Sequence, residues 1–157
     1  MGNIVLPTDS TLLIDTNLFI DLFEHEAIYE NFLKSANTQA VTFVSCDLVR
    51  GEFVRTKDQE KFIEKNELFS KLITTILPMD VKISELLIPT MEEYGRNIEG
   101  VSIVDIVLAC FIKRYKGLYL LTRNHKDFPL RIFERSCIFC IEHERDVKTY
   151  ALYQYRV

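Results

Sequence analysis

The sequence predicts an α/β fold, a parallel sheet covered by helices on both faces, and three observations carry that prediction. Five short runs rich in β-branched and aliphatic residues, at 11–15, 40–45, 73–77, 117–122 and 137–142, have the length and composition of strands. Helical patterns at 16–24, 27–36, 46–56, 58–71, 81–96 and 102–115 alternate with them, the order expected of a parallel sheet. Leu12, Leu13 and Ile14 are apolar without alternation, as in a strand buried on both faces. At 157 residues the chain fits one domain, residues 1–157, and that size can bury a core without disulfides or metals as staples.

Each element has a local reason. The first strand ends on Asp15, after which Leu18, Phe19, Ile20, Leu22 and Phe23 begin an apolar helical face. Residues 46–71 read as two helices broken near Thr56–Asp58. Gly51, inside the first of them, costs about 1 kcal/mol against alanine and so suggests a close approach by another element. Pro78 and Asp80 mark a turn before the helix at 81–96, Gly95 and Gly100 bracket the turn after it, and Gly117 is placed to end the helix at 102–115 as a C-cap. The last stretch, about 146–157, carries Tyr150, Tyr153 and Tyr155; it is expected to be a short helical C-terminal extension covering an edge or one end of the sheet.

Composition narrows the function classes. Apolar residues at 48% and charged residues at 27% are ordinary for a globular protein in water, and no apolar run approaches the length of a membrane span. A formal net charge of −4 argues against a generally basic nucleic-acid binder but permits local basic patches around an acidic site. Met1–Asp9 lacks the basic and apolar regions of a signal peptide, so a cytoplasmic location is expected. Cys137 and Cys140 form a C-x-x-C without the second ligand pair a zinc site requires; in a strand the two side chains point to opposite faces, and both read as small hydrophobes.

Four carboxylates do not belong to an ordinary solvated face. Asp15 follows the first strand, where open α/β sheets bind ligands, although an Asp there also caps the next helix. Asp105 lies in the apolar run Val101–Cys110, where an unpaired carboxylate is costly; Ser102 three residues earlier offers a capping-box explanation. Glu52 sits in a helix after the second strand and is by itself compatible with the surface. Asn124 and Asp127 follow the fourth strand, where turn chemistry would also place them. Taken together, strand order brings these groups to one edge, where they repel one another unless protonated or bridged by cations, and hard oxygen donors suit Mg²⁺ or Mn²⁺.

Four segments carry a family resemblance: Leu13-Ile14-Asp15-Thr16-Asn17, Arg50-Gly51-Glu52, Asp105-Ile106-Val107-Leu108-Ala109 and Thr122-Arg123-Asn124-His125-Lys126-Asp127-Phe128. In this order and spacing, from Leu12 to about Ile141, the chain resembles the PIN-domain family. The resemblance implies a five-stranded parallel sheet in a three-layer α/β/α sandwich and metal-dependent cleavage of RNA. It implies that Asp15, Glu52 and Asp105 are metal ligands, directly or through water, with Asp127 completing the catalytic set and Thr16, Thr122 and Asn124 in supporting hydrogen-bond roles. The family includes toxin ribonucleases of the VapC type, so a small antitoxin partner and a homo-oligomer are also implied. The stretch beyond Asp146 departs from the compact toxins.

Hydrolysis by bound divalent ions requires no histidine, and His125 reads as a loop residue. Arg50, Arg55, Arg123 and Lys126 flank the carboxylates and are the candidates for holding RNA phosphates, which position a nucleic acid without reading its sequence. A haloacid-dehalogenase-type phosphotransferase would need a carboxylate where Asn17 stands, a receiver would need an upstream acidic pair, and no glycine-rich turn supports dinucleotide binding. The remaining alternative is a PIN-like binding module, weak or inactive in catalysis, within an RNA-associated assembly.

Overall fold

A computed structural model describes residues 4–157. The elements are β1 (Thr11–Ile14), α1 (Thr16–Glu24), α2 (Glu30–Thr38), β2 (Thr42–Ser45), α3 (Asp47–Val54), α4 (Gln59–Leu72), β3 (Thr75–Ile76), α5 (Val81–Tyr94), α6 (Ile103–Arg114), β4 (Leu118–Thr122), β5 (Phe133–His143) and β6 (Asp146–Tyr155). Short 3₁₀ turns precede α2 and follow α5.

The fold is α/β, but the sheet has six strands and is mixed, in the order β3-β2-β1-β4-β6-β5. The expectation of five parallel strands is therefore corrected. β3, β2, β1 and β4 are parallel, with Leu13 paired to Val44 on one side and Leu120 on the other. β6 runs antiparallel between β4 and β5. The expected C-terminal helix is this strand. Val147, Thr149, Tyr150, Tyr153 and Tyr155 are good strand formers. Tyr150, Ala151, Leu152 and Tyr153 are all fully buried, so the segment is part of the core. Burial on both faces removes the alternation that would have revealed a strand, and the three-residue spacing of Tyr150 and Tyr153 suits a helix equally well.

β5 and β6 form a hairpin closed by Glu144 and Arg145, with Glu144 in the left-handed region (φ 54°). A bulge between Ser136 and Phe139 centres on Cys137, whose φ is 49°. Cys137 packs against the core and Cys140 is exposed; all four cysteines are free.

Two glycine expectations are also corrected. A Cβ on Gly51 would meet nothing within 4 Å, so no close approach explains it. Tyr115, not Gly117, caps α6; Gly117 occupies the third position of the turn in which Leu118 N–H donates to Tyr115 C=O, where its φ of 87° favours glycine.

The core gathers the central strands and the apolar faces of α1, α3 and α6, including Leu12, Phe19, Phe53, Leu108, Phe111 and Leu120. Phe19 links Phe53 and Phe69 at centroid distances of 5.2 and 4.9 Å, tying α1 to α3 and α4. The chain steps from β1 outward to β2 and β3, then returns past β1 to β4. Because crossovers are right-handed, the reversal places α5 and α6 on the other face. The crevice outside the carboxyl ends of β1 and β4 is thus the sheet's topological switch point, where such folds bind ligands.

Candidate functional site

Asp15 leaves β1 at this crevice and is almost completely buried. It starts α1, but as an unusual cap. Its Oδ1 accepts from the adjacent Thr16 N–H at 2.7 Å, whereas an N-cap ordinarily serves N–H groups one or two residues further on. Its Oδ2 turns to β4, accepting from Thr122 Oγ1 at 2.7 Å and from Asn17 Nδ2 at 3.3 Å. Capping and site roles therefore fall on different oxygens. Burial pushes the carboxyl above its ordinary pKa; the bonds from Thr122 and Thr16 oppose this, and the charges of Glu52 and Asp127 add to it.

Asp105 arrives on the first turn of α6. Ser102 caps that helix, accepting from Asp105 N–H at 3.1 Å, and its hydroxyl donates to Asp105 Oδ2 at 3.1 Å. Half of the capping box is thus present. The reciprocal bond, in which Ser102 N–H would donate to the Asp105 carboxylate, is absent among the described residues. Instead Asn124 Nδ2 donates to Asp105 Oδ2 at 3.2 Å and to Asp127 Oδ2 at 2.7 Å, joining two buried carboxyls through one amide. Burial, the Asp15 charge and a bond with Asp127 hold the Asp105 pKa at about 8, against the opposing Ser102 bond. Among the described residues neither Asp15, Asp105 nor Asp127 has an ion-pair partner, and burial favours the neutral form of Asp15 and Asp105.

Glu52 comes from α3. It is exposed, and its Oε1 accepts from Thr16 Oγ1, linking it to the Asp15 end of the network. Thr122 Oγ1 also accepts from Asn124 N–H at 3.0 Å and Asn17 Nδ2 at 3.0 Å. The four carboxylates named from the sequence thus meet in one hydrogen-bonded set through Thr16, Thr122 and Asn124.

The basic candidates separate. Arg55 and Lys126 are exposed. Arg50 donates to Asn66 Oδ1 at 2.8 Å and lies 5.2 Å over the Phe69 ring. Arg123 turns away from the carboxylates: its Nε and Nη2 donate to Asp21 at 2.7 and 2.9 Å. His125 is held by Tyr153 OH at 2.7 Å and Thr149 C=O at 2.9 Å. Because a carbonyl only accepts, Nε2 carries the hydrogen there.

Three contributors escaped the sequence reading. Asn17, in the first motif, bonds both Asp15 and Thr122, and among the described residues its own Oδ1 is buried without a partner. Tyr94 OH donates to Asp127 C=O at 2.8 Å and fixes that residue's backbone. Asp21 is fully buried; its signal was an acid inside the apolar run Leu18–Phe23.

The donor set is chemically suited to a hard divalent ion, since it offers carboxylate oxygens, with hydroxyl and amide oxygens nearby and no sulfur. Among the described residues no three His, Cys, Asp or Glu side chains already stand at ligand spacing. Binding would therefore draw carboxylates together and displace the Asp105 proton. A cavity of about 410 Å³ lined by Lys116, Gly117 and Leu118 opens at the opposite, amino end of β4, so cavity size does not mark this site.

No family model, curated protein or solved structure matches the chain.

Proposed function

We propose that the chain is a divalent-metal-dependent endoribonuclease of PIN type. The observation that carries this reading is the linked set of Asp15, Glu52, Asp105 and Asp127 at the switch point, with three buried carboxyls that no cation among the described residues pairs. Asp15, Asp105, Asp127 and Glu52 would hold Mg²⁺ or Mn²⁺, with Thr16, Thr122 and Asn124 fixing the orientation of their oxygens. A bound ion of this class supplies an activated water and offsets charge at a phosphodiester.

The protein's own residues do the rest. Asp105 and Asp127 share the Asn124 amide, so loss of the Asp105 proton prepares both oxygens together. Glu52, being exposed, marks the side from which RNA would enter. Arg55 and Lys126 are exposed and are the candidates to meet phosphates. Arg123 is not, and we remove it from the substrate-binding group. A toxin role with a small antitoxin, self-association and a cytoplasmic setting are finer parts of the same proposal. They are supported by the motif resemblance, and the free cysteines suit a reducing compartment. Among the described residues no helix is long and apolar enough to cross a membrane.

That no three carboxylates among the described residues stand at ligand spacing favours a second reading, a PIN-like binding module that has lost catalysis. Melting the protein over a Mn²⁺ series separates the two. The nuclease reading expects a saturable rise in Tm that Asp15→Asn abolishes. A flat profile supports the binding module.

A further inference from the structure

We propose that Arg123 and His125 are positioning residues that clamp the Thr122–Asp127 segment from behind, so that the C-terminal strand β6 sets the geometry of the carboxylate site. Side chains alternate along this segment. Thr122 and Asn124 face the carboxylates, whereas Arg123 and His125 are engaged elsewhere.

Arg123 makes a bidentate pair with Asp21 on α1. Asp21 is fully buried, and two β6 side chains converge on it: Tyr150 OH donates to Oδ2, and Lys148 Nζ lies 3.5 Å from Oδ1. Tyr150 is itself bonded to Tyr29 OH at 2.7 Å. The Asp21 pairing raises the pKa of Arg123 further, so its charge is constant. Two residues on, the His125 ring is held by Tyr153 OH and the Thr149 carbonyl, both of β6. The segment is therefore gripped on each side of Asn124, the residue whose amide joins Asp105 to Asp127. The segment expected to be a short helical extension is thus a strand inside the sheet that contacts the site's backing residues. The inference rests on the nuclease reading only for what the segment serves; the clamp itself can be tested without metal.

Arg123→Lys keeps the charge but loses the planar fork. Tyr153→Phe removes only the hydroxyl facing His125. Val147→Thr is the control, since Val147 is an exposed residue of the same strand and takes no part in these contacts. Amide hydrogen exchange in the metal-free protein is followed at Asn124 and Asp127, with the central strand residue Leu120 as reference. Arg123→Lys and Tyr153→Phe should each speed exchange at Asn124 by about tenfold or more relative to Leu120, and Val147→Thr should leave that ratio unchanged. The first two variants should also raise the Mn²⁺ concentration needed for half-maximal stabilisation. Exchange at Asn124 that rises only in step with Leu120 in both variants overturns the clamp. A wild type that ignores Mn²⁺ overturns the nuclease reading instead, and the exchange ratios still decide the clamp.

Discussion

Replacing Asp105 by Asn separates the cap role from the site role, because the two roles predict opposite signs. In the metal-free protein burial and the Asp15 charge push the Asp105 carboxyl up to about 8, against an ordinary value of 3.8. The folded state thus binds a proton that the unfolded chain has released. Stability from this group is fully present below the unfolded pKa and is lost as pH rises through the window from about 4 to about 8. Each pH unit in that window costs up to about 1.4 kcal/mol, so at pH 7 the loss is on the order of 2–4 kcal/mol. Asn has nearly the same shape, carries no charge and can still donate toward Asp127. Asp105→Asn should therefore be more stable than wild type at pH 7 by roughly 2–4 kcal/mol and should flatten the pH dependence between 5 and 8. It should also lose most of the Mn²⁺ response. Urea melts at several pH values, with and without Mn²⁺, measure all three effects. If the carboxylate matters only to the start of α6, the variant loses about 0.5–2 kcal/mol, keeps the wild-type pH slope and keeps its metal response. That pattern would refute the reasoning.

Further outcomes follow from particular contacts. Asp15→Asn keeps the bond from Thr16 N–H but places an amide where charge is required; cleavage should fall more than about 100-fold, equivalent to about 2.7 kcal/mol, while circular dichroism shows an intact fold. Gly51→Ala should stabilise the protein by roughly 0.5–1 kcal/mol in denaturant melts, since a methyl group there meets nothing within 4 Å and the position is helical. Replacing Arg55 and Lys126 together with Ala should weaken RNA binding and lower the slope of log affinity against log salt by up to about 2, whereas an unchanged slope would place the phosphates elsewhere.

The parallel half of the fold was legible in the sequence because its signals are local. The apolar run Thr11–Ile14, the Asp15 switch into α1 and the β-branched run before Ser45 each lie within a few residues, and α1 spans Thr16–Glu24 as read. The C-terminal half was less legible. The centre of β6 is buried on both faces, so alternation did not identify it, and besides its hairpin partner β5 it pairs with β4, which is distant in the chain. β5 carries a bulge at Cys137 that breaks its period of two. At the site, the four carboxylates were singled out by their combination, since strand order brings their positions to one edge, whereas Glu52 alone is compatible with the surface. Arg123 was misassigned because spacing alone does not show which way a side chain leaves a strand end, and the buried partner, Asp21, lies 102 positions away. Gly51 stays unexplained by any contact.

The most direct test of the central claim is cleavage of a labelled single-stranded RNA by the purified full chain, with Mn²⁺ and with excess chelator, beside Asp15→Asn prepared identically. The account predicts cleavage in Mn²⁺, none in chelator, recovery when Mn²⁺ is restored, and none by the variant under either condition. Equal cleavage by wild type and Asp15→Asn, or cleavage undiminished by chelator, would contradict it.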